Sequence, residues 1–177
     1  MSVFGSWRLS RERRRLAGQY VRGVVGASAN ADVEWLAALT RDRAVALREI
    51  TFARRAIALI VAERDALDDR TASDVAHALA HIVDDESRRS AQVGGAWTTR
   101  WREYSATLAA RGVADAPATR LARVLLAGAG VSDAEHNAVE QATLFVHATR
   151  ASANESLRAI FGAAELPENV RPSALRS

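Results

Sequence analysis

The four histidines of this sequence, His77, His81, His136 and His147, carry its clearest chemical spacing. His77 and His81 stand one helical turn apart, and Asp84 and Arg88 continue the same line. His136 and Glu140 repeat the one-turn spacing, with Thr143, His147 and Asn154 on the same side. Residues four apart on a helix share a face, so two imidazoles at that spacing can hold one metal ion. His147 lies two turns from Glu140, too far along a straight helix to reach the same ion. A metal-binding bundle built from His77, His81, Asp84, His136, Glu140 and His147 therefore requires the two segments to meet. The Glu-x-x-His spacing of ferritin-like di-iron carboxylate proteins does not occur. The plainer expectation is no cofactor, with His77 and His81 at the surface and the other two bonded at helix contacts.

A second chemistry belongs to the stretch SWRLSRERRRLAGQYVRG, residues 6–23. It holds Arg8, Arg11, Arg13, Arg14, Arg15 and Arg22 against one acid, Glu12. Helical spacing gathers Arg11, Arg14, Arg15 and Arg22 on one side, opposite the apolar line Leu9, Leu16, Tyr20 and Val24. Such a face, with Phe4 and Trp7 ahead of it, suits contact with nucleic acid or an anionic membrane surface. It also suits simple solvation. Arg8, Arg11, Arg14, Arg15 and Arg22 are the candidate nucleic-acid contacts.

The aromatic residues Trp97, Trp101 and Tyr104 fall at i, i+4 and i+7, followed by Leu108. With Arg100 and Arg102 beside them they resemble a stacking platform for single strands. A line of this spacing also serves a core or a subunit interface, where Trp and Tyr are common anchors.

All 24 basic residues are arginine, so every cation has a planar, multi-donor head suited to carboxylate or phosphate. The net charge is only +3, which does not by itself call for a polyanionic partner. The absence of cysteine excludes disulfides, thiol catalysis and Cys-bound zinc. No Gly-x-Ser-x-Gly elbow occurs, and without lysine there is no Gly-x-x-x-x-Gly-Lys phosphate loop. No apolar run approaches the ~20 residues of a membrane span, and no secretory signal pattern opens the chain. These features lead to the expectation of a cytoplasmic, non-enzymatic protein.

The elements that must position these residues are helices throughout. A chain of 177 residues rich in Ala, with 3 Pro and 10 Gly, favours helix and suits one domain. The periodicity predicts an all-α bundle of five to six helices. The first covers about 9–26 and ends at GASANAD, where Asn30 can cap the next. The second is expected to be one long central helix over about 31–69. Leu36, Leu39, Leu47, Ile50, Ile57 and Val61 form one stripe on it, and Val45, Phe52 and Leu59 an opposite one. Arg43, Arg54 and Arg64 sit in or beside the first stripe and need carboxylate partners if buried.

A third helix is expected from Thr71 to about 93, broken by Gly94–Gly95, and a fourth over 96–111. A short fifth opens at Pro117 and ends near Gly128. The capping box Ser132–Glu135 opens a sixth that runs to Phe161 and stops at Gly162. Residues 1–162 are expected to form one domain and 163–177 an extended tail.

A helix apolar on two sides is either central to its own fold or shares one side with a partner. The leading expectation is a helical interaction or scaffold protein that self-associates or docks in a larger complex, through Val45, Phe52, Leu59, Trp97, Trp101 and Tyr104. A protein partner or second copy is expected first, and nucleic acid second.

Overall fold

A computed structural model describes residues 3–26, 30–66, 68–110, 114–131 and 136–162, with side chains from Ser10 onward. Within them the chain is all-helical: α1 (Val3–Gly26), α2 (Asn30–Thr40), α3 (Arg43–Asp65), α4 (Asp69–Arg89), α5 (Ala91–Ala109), α6 (Pro117–Gly128) and α7 (His136–Phe161). The expected tail 163–177 and the capping box 132–135 lie outside the described residues.

The single long helix expected over 31–69 is two helices. Arg41 adopts a left-handed backbone with φ 56°, which ends α2. Its N–H still bonds the Ala37 carbonyl at 2.8 Å. Asp42 then caps α3, its carboxylate accepting from the N–H groups of Ala44 at 2.8 Å and Val45 at 3.1 Å. The Thr40 hydroxyl accepts from the Asp42 N–H at 3.2 Å. Short polar side chains thus offer the backbone partners that a continuous helix would have supplied. The apolar spacing runs through this corner unbroken, which is why periodicity alone misses it.

The central helix is α3, and it is shorter than expected. Every residue from Phe52 to Ala62 is buried. This follows because α3 touches α1, α2, α4, α5, α6 and α7. A helix walled on all sides needs apolar residues all round. From α1 the residues Ala17, Tyr20, Val21 and Val24 pack inward at i, i+3, i+4 and i+7. The Tyr20 hydroxyl donates to the Ala58 carbonyl at 3.1 Å, so this buried phenol is satisfied. From α7, Ala142, Phe145, Val146, Ala153 and Leu157 face the core.

The break expected at Gly94–Gly95 falls instead at Ser90. Its extended backbone (φ −154°, ψ 104°) closes α4 and opens α5. Gly94 serves a close approach: a Cβ there would lie 2.1 Å from the Ser87 hydroxyl oxygen across the turn. Thr71 does not cap α4 either. Asp68 does so, accepting from the Thr71 N–H at 2.6 Å, and Thr71 is buried. The short helix from Pro117 to Gly128 and the stop at Gly162, with φ 91°, match the expectation. No helix among the described residues is long and apolar enough to cross a membrane.

Candidate functional site

One groove runs along the last two turns of α3. Its wider part, about 230 Å³, opens between α3 and α5 and is lined by Ile60, Glu63, Arg64, Trp101, Ser105, Leu108 and Ala109. A narrower continuation shares Ile60, Arg64 and Leu108, and adds Ile57, Pro117, Leu121, Val146, His147 and Arg150 from α3, α6 and α7. Ile57, Ile60 and Arg64 fall at i, i+3 and i+7, so one side of α3 supplies the floor and one charge at its edge.

The edge is polar. Glu63 and Arg64 are exposed, and Arg64 has no hydrogen-bond or ion-pair partner among the described residues. Arg150 is held only loosely by Asp65, at 4.0 Å. An apolar floor beside a solvent-exposed guanidinium suits an apolar segment that carries a carboxylate.

Deeper in the fold the charges are all engaged. The Glu49 side chain is 1% exposed, and its two oxygens accept from Arg48 Nε at 3.2 Å and Arg100 Nε at 2.8 Å. Arg100 also bonds Glu103 and donates to the Gly128 carbonyl at 3.2 Å. Burial opposes the charge on Arg100, yet the hydrogen bond and negative charge of Glu49 hold the guanidinium above its ordinary pKa. Gly128 makes room for this contact, since a Cβ there would lie 2.4 Å from the Arg100 Cζ. Glu49 and Arg100 thus tie α3, α5 and α6 together.

Arg55 donates to Glu86 at 2.5 Å, and its Cζ lies 5.9 Å from the Phe52 ring centre and 5.8 Å from that of Trp97. Its Nε and Nη1 have no hydrogen-bond partner among the described residues, so ring faces take the place of acceptors. Arg54 donates to Asp32 at 2.5 Å and to the Val24 carbonyl at 3.2 Å. The expectation that a buried Arg54 needs a carboxylate holds. Burial, reinforced by the charge of Glu49, pushes the Tyr104 hydroxyl above its ordinary pKa.

The interface expected from Val45, Phe52, Leu59, Trp97, Trp101 and Tyr104 is mostly interior. Phe52, Leu59, Trp97 and Tyr104 are buried in the chain's own core, while Val45 and Trp101 are half-buried. Phe52 meets Trp97 at 5.7 Å between ring centres, and Trp97 stacks on Trp101 at 6.0 Å. Phe52 of the second stripe thus covers Trp97 of α5. The same packing removes the face of Trp97 from any stacking platform.

Arg11, Arg14, Arg15 and Arg22 are exposed on α1, and the Arg8 side chain lies outside the described residues. Arg15 bonds Glu12 at 2.6 Å. Arg13 turns the other way, bonding Asp68 and Asp74 at 3.0 Å each and joining α1 to α4.

The histidines do not form a joint site. His77 and His81 meet edge to face at 4.7 Å on the exposed side of α4. Asp84 is exposed on α4, and His136, Glu140 and His147 are exposed on α7. α4 packs on α1, α3 and α5, whereas α7 packs on α1, α3 and α6. No group of three or more His, Asp or Glu among the described residues is placed to hold a metal ion.

No protein family, curated protein or solved structure matches this chain. Its function must therefore be read from its own surface. Sequence reasoning missed the groove, though it named Arg64, together with Arg43 and Arg54, as lying in or beside an apolar stripe. The signal was a lone arginine one turn past Ile60, and Val146 and Arg150 repeat that spacing on α7.

Proposed function

We propose that this chain is a cytoplasmic, non-enzymatic helical scaffold protein that self-associates or docks as a subunit of a larger complex. The observation that carries this reading is the groove of α3, α5, α6 and α7, an apolar floor left open beside Arg64.

Size-exclusion chromatography with light scattering, at low and high salt, tests the reading. An oligomer or stoichiometric complex that survives high salt supports it, because apolar burial does not weaken with ionic strength. A strict monomer that is recovered from its native cells in no larger particle defeats it.

The exposed Arg14, Arg15 and Arg22 on α1 favour a second reading, contact with nucleic acid. Binding to a single-stranded oligonucleotide would then fall steeply with salt. Unchanged binding after Arg11, Arg14, Arg15 and Arg22 are replaced by Gln sinks that reading.

A further inference from the structure

The outward side of α7 carries a ridge opposite its core face. Glu140, Leu144, Ala148, Ala151 and Glu155 are all exposed and fall within one side of the helix. Leu144 is 63% exposed, more than Leu39 or Leu47. Neither Glu140 nor Glu155 has a hydrogen-bond or ion-pair partner among the described residues. Beside this ridge, on the adjoining side of α7, Val146, His147 and Arg150 line the groove whose other edge is Arg64. One helix therefore separates an apolar ridge flanked by unpaired carboxylates from an apolar trough flanked by an unpaired arginine.

From this we infer that the occupant of the groove is a second copy of the chain, paired across a two-fold axis through α7. In such a pair each copy lays Leu144 and Glu140 against the trough of the other, and Glu140 meets the free Arg64. The inference rests on the scaffold reading and deepens it by naming the partner and the surface. Charge complementarity selects a second copy: Glu140 is the kind of group that Arg64 lacks, and both belong to one chain. Adjacency supports it as well, since an isologous contact uses the same patch on both subunits. Ridge and trough on adjoining sides of one helix make up such a self-complementary patch.

The test compares the particle mass of the wild-type chain with three surface variants, each checked for helix content by circular dichroism. The wild type is expected at twice its 19.1 kDa mass. Leu144→Asp is expected at single mass, and Leu47→Asp, on another part of the surface, is expected to remain double. Arg64→Glu and Glu140→Arg each place like charges in the contact and should weaken dimerisation by ~10-fold or more. An equimolar mixture of those two variants restores both charge pairs, one reversed and one native, and should recover the double mass.

A double-mass wild type that is indifferent to Leu144→Asp, or that falls apart with Leu47→Asp, overturns the ridge-and-groove contact and leaves the scaffold reading standing. Failure of the mixture to recover what Arg64→Glu and Glu140→Arg lose overturns the pairing of those residues. A wild type of single mass at every concentration overturns the dimer, and the scaffold reading then stands or falls on the native complex.

Discussion

Two helices of this protein are rich in arginine and use it in opposite ways. On α1, Arg14, Arg15 and Arg22 are exposed, and Arg15 pairs with Glu12, a neighbour on the same helix. On α3, Arg54 and Arg55 are 7% and 2% exposed, and their partners come from α2 and α4. The difference is one of position. α1 packs on one side only, so a cation on the other side keeps its water. The middle of α3 is enclosed, so Arg54 and Arg55 there must find a carboxylate, a carbonyl or an aromatic face in place of water. Exposed pairs contribute ~0–1 kcal/mol, whereas breaking a buried pair costs ~3–5 kcal/mol. Arg14 and Arg22 on α1 are thus nearly free to change, whereas Arg54 and Arg55 on α3 and their acidic partners are not.

The comparison is most easily broken at Glu49. Glu49→Ala leaves Arg100 partly buried without its main acceptor and is expected to lower unfolding free energy by ~3–5 kcal/mol in urea titration. The double variant Glu49→Leu/Arg100→Met removes both charges and should recover most of that loss. If the double variant is no better than the single one, the buried pair is not the cause. Glu86→Ala orphans Arg55 in the same sense. Because a third of the Glu86 side chain is exposed, water can replace part of it, and a smaller loss of ~2 kcal/mol is expected.

Asp68 lies between the two regimes, half-exposed but capping α4 and pairing with Arg13. The Thr71 N–H, then the Thr71 hydroxyl and Arg13, hold its carboxyl below the ordinary carboxylate range. A depressed folded pKa means stability that is present above the unfolded value of ~3.9 and lost as pH falls below it. Asp68→Ala is expected to cost ~1 kcal/mol at neutral pH and to flatten the acid limb of the stability curve below pH ~4. An acid limb unchanged by the substitution would assign that limb to other carboxylates. The smallest effect belongs to α1: Arg14→Gln/Arg22→Gln should shift stability by no more than ~0.5 kcal/mol. A larger shift by thermal denaturation would show that these arginines hold the fold and are not merely solvated.

Much of the helical content was legible from spacing. The start of α6 at Pro117, the stop of α7 before Gly162 and the inward line of Tyr20 and Val24 follow from local chemistry. The corner at Arg41–Asp42 was not, because an aspartate makes a cap only where the chain turns, and the apolar stripe gave no sign of turning. The groove was half legible. Arg64 was named, with Arg43 and Arg54, as a charge in or beside an apolar stripe, but the groove's other walls come from α5, α6 and α7. The aromatic line of α5 had a spacing that suits a core, an interface or a stacking platform alike. Which surface would bury it, this chain's own α3 or a partner, depends on distances that spacing does not contain.

By itself the sequence determined that this chain is helical, free of cysteine and lysine, and built from segments with one or two apolar sides. Those are properties of local propensity and period, and they need only neighbours within a turn or two. Only the tertiary structure decided which arginines are buried, that Phe52, Leu59, Trp97 and Tyr104 close the core, and that the histidines of α4 and α7 remain apart. Each of these depends on pairs of residues distant in the chain, such as Glu49 with Arg100 or Arg55 with Glu86, whose meeting is fixed by how the helices pack around α3.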